Sequence, residues 1–215
     1  MRIEEDKVEV DEDECVECGV CLSSCPVKAI YEPELDKFRL LRKTFSNPTA
    51  THLSSQVPGR GTEEMKTNDV TNRFRRGFTG VAIELGRPGT GARFYDVEKV
   101  TKTCVELGVD FERANPVTAL MLNPKTGEIK KEFLNEKILS CIVEFTVPNE
   151  KVIPILNKLK KVAKEIETVF SVDIINRIDK DGNIPVNKLL KEAGFKPYIN
   201  GKTNVGLGRP LAKGG

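Results

Sequence analysis

The chain has 215 residues, 39% of them hydrophobic and 31% charged, which suits a soluble globular protein with one good-sized domain or a small module beside a larger one. Its formal charge of +2 hides an asymmetry: residues 1–36 hold twelve Asp or Glu against three Lys or Arg, and the remainder holds twenty against thirty-one. No apolar run could span a bilayer, the acidic N-terminus lacks a secretory pattern, and the absence of Trp with only three Tyr disfavours nucleic-acid stacking platforms, so a cytoplasmic protein is expected.

A short strand is expected over residues 7–10. It leads into Cys15, Cys18, Cys21 and Cys25, with Pro26 directly after, which together read C-x2-C-x2-C-x3-C-P. Two-residue gaps let a tight loop aim three sulfurs inward, and Gly19 lets backbone lie close to whatever they hold. The longer gap moves Cys25 into a following helical turn, which Pro26, having no N–H to satisfy, is suited to start. Zinc also uses C-x2-C, but usually as two separated pairs. Six cysteines with four in one run are not a disulfide framework.

Over residues 7–32 the chain resembles a bacterial-type ferredoxin domain. That resemblance implies a [4Fe–4S] cofactor, with Cys15, Cys18, Cys21 and Cys25 as its metal ligands. Two-cluster ferredoxins carry two such runs, and the fourth Cys of each serves the other cluster. This chain has one run. Cys25 could close the cluster of its own run, Cys104 or Cys141 could complete it, or a second chain could lend a sulfur, as in a homo-oligomer. The surrounding carboxylates (Asp11, Glu12, Asp13, Glu14 and Glu17) either steer a basic redox partner or form a solvated face.

Residues 33–78 show no clean helical or strand period, and 46–70 are rich in Pro, Gly, Ser, Thr and Asn, which predicts a long functional loop or linker. Two Gly/Arg stretches stand out, one opening at Pro58-Gly59-Arg60-Gly61-Thr62-Glu63-Glu64, the other at Gly86-Arg87-Pro88-Gly89-Thr90-Gly91-Ala92-Arg93. Neither matches a P-loop or a dinucleotide fingerprint. Glycine backbone and arginine forks suit anions, so Arg60, Arg73, Arg76, Arg87 and Arg93 are candidate ligands of an anionic small molecule. Equally, these arginines could pair with the acidic module. Residues 58–93 also resemble iron–sulfur reductases of the 6-hydroxynicotinate reductase type, in which a Gly-Arg-Gly-Thr-Glu-Glu-like stretch follows a ferredoxin run. That implies a subunit or truncated relative feeding electrons to a reduction site elsewhere.

From residue 79 onward the expected order is strand (79–85), helix (96–108, capped by Asp96 and Gly108), strand (117–122) and a short strand (128–133). A long strand (138–147), a helix (150–166, capped by Asn149), a strand (169–178) and a short helix (186–193) follow. This order predicts an α+β fold: a small [4Fe–4S] ferredoxin-type module (1–32), the loop (33–78), and a ferredoxin-like, split βαβ α/β sandwich with a C-terminal extension (79–215). The last two motifs are weak. Leu85-Gly86-Arg87-Pro88 echoes Leu207-Gly208-Arg209-Pro210, as chance turn preference also would. His52, the only histidine, and Cys104 and Cys141 in apolar surroundings read as structural residues. Function is therefore expected to be single-electron transfer through an iron–sulfur cluster, with a redox partner protein or catalytic subunit. The alternatives are a subunit of a small-molecule reductase, which would be an iron–sulfur oxidoreductase, or a scaffold protein with a structural cluster.

Overall fold

The computed structural model describes residues 2–4, 7–52, 56, 60–62, 69, 72–87 and 89–201. Much of the first Gly/Arg stretch (58, 59, 63–68, 70 and 71), Pro88 and the 207–210 echo therefore lie outside the described residues. The architecture is α+β. A hairpin of β1 (Arg2–Glu4) and β2 (Lys7–Glu9) leads into the cysteine loop and α1 (Val20–Ser24), then α2 (Lys37–Ser46). The sheet that follows comprises β3 (Phe78–Leu85), β5 (Asp110–Phe111), β9 (Cys141–Pro148) and β10 (Phe170–Ile175), in the order β10-β3-β9-β5 with every pairing antiparallel.

Two helices cover one face of that sheet, α3 (Phe94–Val105) after β3 and α5 (Val152–Val162) after β9. Val97, Val100 and Cys104 of α3 recur at helical spacing and meet Ile155, Leu156 and Leu159 of α5 over Val81, Ile83, Val143 and Phe145. The second face is also closed. Phe74, Ala82 and Ile142 form a smaller core there, which is why β3 and β9 read as near-continuous apolar runs and not as alternating ones.

Several expectations are corrected. Residues 117–120 do not form a strand: Asn115 accepts the Val117 N–H at 2.7 Å and Pro116 occupies the first turn, so α4 (Pro116–Leu120) forms instead. The sheet position goes to the two residues of β5, while β6 (Met121–Asn123) pairs with β7 (Glu128–Ile129) in a separate hairpin. The strand expected over 128–133 ends early in a 3-10 turn at Lys131–Phe133. The long strand is interrupted, with β8 (Lys137–Ile138) pairing with β4 (Ala92–Arg93) before β9 begins. Asp96 lies inside α3 and not at its cap, and its Oδ2 accepts the Glu167 N–H at 3.1 Å. The Asn149 side chain meets the Thr79 hydroxyl and does not cap α5. Near the end of the described chain, α6 (Asn187–Glu192) buries Leu190.

The segment read as lacking a period contains α2. Asp36 caps it, accepting the N–H groups of Phe38 and Arg39 at 2.8 Å each. Its apolar side enters the core through Phe45, whose ring meets Phe94 edge-on at 5.3 Å. Ser46 Oγ accepts the Leu139 N–H at 2.9 Å and anchors the helix end. Among the described residues no helix is long and apolar enough to cross a membrane.

Candidate metal centre

The cysteine loop holds three residues in left-handed backbone conformations. Glu17, Gly19 and Lys28 all have positive φ, at 58°, 73° and 52°, conformations that cost a non-glycine residue roughly 1–2 kcal/mol. Such strain persists only where surrounding contacts over-determine it. Gly19 also lies close to a neighbour, since a Cβ there would stand 3.0 Å from Asn47 Nδ2, the tip of a side chain that would have to give way. The helical turn, α1, carries Cys21 and ends before Cys25, with Pro26 in a plain turn. The expected helical turn after Cys25 is thus corrected: Cys25 itself is the extended residue that terminates the helix, at φ −76° and ψ 110°.

All four loop cysteines are partly accessible, and all are free thiols. Burial pushes the Cys15 thiol up, against the Glu17 backbone N–H, which pulls it down. Cys25 shifts the other way. The Ala29 N–H donates to its Sγ at 3.2 Å and heads a group of backbone donors that hold this thiol below its ordinary range, with burial opposing. Backbone N–H groups aimed at sulfur stabilise the deprotonated form that a metal requires. Among the described residues no three His, Cys, Asp or Glu side chains converge tightly enough for a single ion. An iron–sulfur cubane, which takes one thiolate at each of four irons, needs no such convergence.

Cys104 and Cys141 are sealed in the core at 1% and 0% exposure, and burial pushes both thiols up to about 12. The fold therefore provides neither as a surface donor to the loop. Brief treatment of the native apoprotein with iodoacetamide is expected to label four thiols, and six in denaturant. Six labelled natively would show that the core is open.

The acidic skirt is largely engaged by the chain's own cations. Glu14 meets Arg93 at 2.6 Å and also Lys137, Glu17 meets Arg39 at 2.8 Å, Glu12 meets Arg39 at 3.1 Å, and Glu32 meets Lys43 at 2.6 Å. Lys137, first by hydrogen bond and then by charge, holds the Glu14 carboxyl below its ordinary range. Arg42, buried beneath the loop, pairs with Glu136 and donates to the carbonyls of Glu12 and Cys15. Arg39, Arg42 and Lys43 share one side of α2, and these are the site residues that sequence reasoning missed. Their signal was present: apolar Phe38, Leu41 and Phe45 at helical spacing behind an Asp36 cap, with cations between them.

The five candidate anion-binding arginines are not gathered into one place. Arg60 donates to Ser140 Oγ at 3.0 Å and lies 3.9 Å from Glu84, which Arg87 also meets at 3.1 Å. Arg73 pairs with Glu112 at 3.0 Å and Asp110 at 3.4 Å, and Arg93 with Glu14. Arg76 lines a small pocket with Arg75, Arg177 and Asp179 at the Phe78 end of the sheet. Arg60 and Arg87 thus share Glu84, and the other three stand apart. His52 is buried against Phe45, ring centroids 4.7 Å apart.

Compared with known families, residues 8–31 match the model of the 4Fe-4S binding domain. This stretch is an iron–sulfur domain. It contains all four loop cysteines and corresponds to the ferredoxin-type resemblance of the sequence. No curated protein and no solved structure matches the chain.

Proposed function

We propose that this protein is a cytosolic electron-transfer protein, or the electron-transfer subunit of a redox complex, that passes single electrons through a [4Fe–4S] cluster held by Cys15, Cys18, Cys21 and Cys25. The observation that carries this reading is the strained, partly exposed four-cysteine loop inside the matched 4Fe-4S stretch. When bound, the cluster supplies a one-electron couple. The chain does the rest. Cysteine sulfurs near the surface leave a short path to a partner, the Ala29 N–H donates to Cys25 Sγ and favours its thiolate form, and the α2 cations hold the loop against the larger domain. We read that domain as a split βαβ sandwich. Support comes from the strand order β10-β3-β9-β5, with α3 and α5 contributing to one core. In this reading it serves as a platform for docking or assembly.

Anaerobic purification with iron and sulfide assay, followed by EPR of the dithionite-reduced protein, tests the proposal. A cubane signal with four irons per site and a reversible one-electron wave is expected. Stoichiometric zinc without acid-labile sulfide overturns it, and a cluster silent at accessible potentials assigns a structural role instead.

A further inference from the structure

Arg42 differs in kind from the other cations around the cysteine loop. Lys43, Arg93 and Lys137 make ion pairs open to water, and such pairs contribute little to stability or local potential. Arg39 is matched by two carboxylates, Glu12 and Glu17. Arg42 and its partner Glu136 are 7% and 9% exposed, so the pair lies in a medium where a unit charge acts with far less screening. The planar fork is used on both sides. Nε donates to Glu136, while Nη1 donates to the Glu12 carbonyl, to the Asp13 carbonyl at 3.4 Å and to the Cys15 carbonyl at 3.1 Å. A charge held by α2 thus reaches the backbone of the first cysteine in the run.

We propose that Arg42 is a positioning and tuning residue of the cluster site. Its guanidinium fixes the 12–15 backbone, so that Cys15 is presented correctly, and its buried charge biases the one-electron couple toward the reduced form, with Glu136 partly offsetting that bias. The inference rests on the reading of Cys15 as a cluster ligand. Reduction adds negative charge to an already anionic group, so a nearby buried cation favours the reduced state and a buried anion opposes it. Arg42 reaches the loop directly whereas Glu136 acts from behind it, so the arginine effect is the larger. Lysine keeps the charge but cannot hold Glu136 and several carbonyls at once, which separates charge from geometry.

The test uses the full chain carrying Arg42→Met, Arg42→Lys, Glu136→Gln or Arg42→Met with Glu136→Gln, each reconstituted anaerobically. Cluster content, potential by voltammetry and the rate of iron loss to a chelator are measured. For Arg42→Met the reduced-to-oxidised ratio at fixed potential is expected to fall about tenfold, a shift of about 59 mV for one electron. Glu136→Gln moves the potential the opposite way by less, and the double variant lies between. Arg42→Lys stays near the wild-type potential but loses iron several-fold faster. Shifts of the same sign in Arg42→Met and Glu136→Gln, or unchanged potentials in cluster-replete variants, overturn the proposal, because loosened packing alone cannot produce opposite signs. If Arg42→Met does not fold, Glu136→Gln and Arg42→Lys still decide it. Absence of acid-labile sulfide from the wild type defeats the underlying cluster reading, and Arg42's proposed role with it.

Discussion

Cys15→Ser, Cys18→Ser or Cys21→Ser is expected to abolish the assembled [4Fe–4S] centre or convert it to a smaller one. The broad visible absorption would be lost and the reduced cubane EPR signal would vanish. A serine hydroxyl is far less acidic than a thiol and its oxygen is a harder donor than thiolate sulfur, and iron–sulfur clusters select soft sulfur donors. Cys25→Ser separates the remaining alternatives. Its Sγ is already held by the Ala29 N–H at 3.2 Å, an arrangement suited to a thiolate ligand but silent on which cluster it serves. If Cys25 closes its own site, the variant loses cluster as a monomer. If it reaches a partner copy, native mass spectrometry shows the dimer dissociating as iron is lost. Wild-type spectra retained in all four single variants would remove the cysteine loop from the site altogether.

Gly61→Ala is expected to destabilise the fold by roughly 2–4 kcal/mol, seen as a lower urea midpoint with an unchanged slope. Residues 60–62 of the first Gly/Arg stretch lie against the second face of the sheet. The Ile142 N–H donates to the Arg60 carbonyl at 3.2 Å, and the Thr62 N–H donates to the Glu144 carboxylate at 3.0 and 3.1 Å. A methyl group on Gly61 would stand 2.5 Å from Glu144 Oε1 and 3.0 Å from Ile142 Cδ1, in a core where Glu144 is fully buried. Relief requires moving a carboxylate that also accepts from Asn115 Nδ2 at 2.6 Å, so a buried charged group would lose part of its satisfaction. Unchanged stability would mean that residues 60–62 do not seat on the sheet. Gly77→Ala is a useful contrast. A Cβ there meets nothing within 4 Å, so its cost is confined to the backbone strain of φ 84°.

The arginines of the Gly/Arg stretches bear on the choice between anion binding and internal packing. In this structure the arginines are mostly neutralised from within: Arg60 and Arg87 at Glu84, Arg73 at Glu112 and Asp110, and Arg93 at Glu14. The contact between Arg93 and Glu14 is the packing alternative that the charge asymmetry made available. The acidic module and the basic remainder attract, and α2, β4 and β8 are where they meet.

The cluster chemistry was legible because it is local. Four thiols within eleven residues specify a ligand loop by spacing alone, and no distant part of the chain is needed to recognise it. Long apolar runs such as Cys141–Pro148 were legible for a similar reason, being near-continuous and bounded by turn residues. Local signals also competed, and there the reading of 117–122 failed: β-branched residues suggested a strand, while the Asn-Pro start imposed a helical turn. Helix α2 was missed because a short amphipathic segment with four cations looks like polar linker until its apolar side has a surface to cover. What only the tertiary structure decided is the company the loop keeps. Arg42 comes to the Cys15 carbonyl from 27 residues away, and Glu136 comes to Arg42 from 94. Pairings across such separations leave no periodic trace in the chain, because they are set by which faces the core forces together and not by the spacing of neighbouring residues.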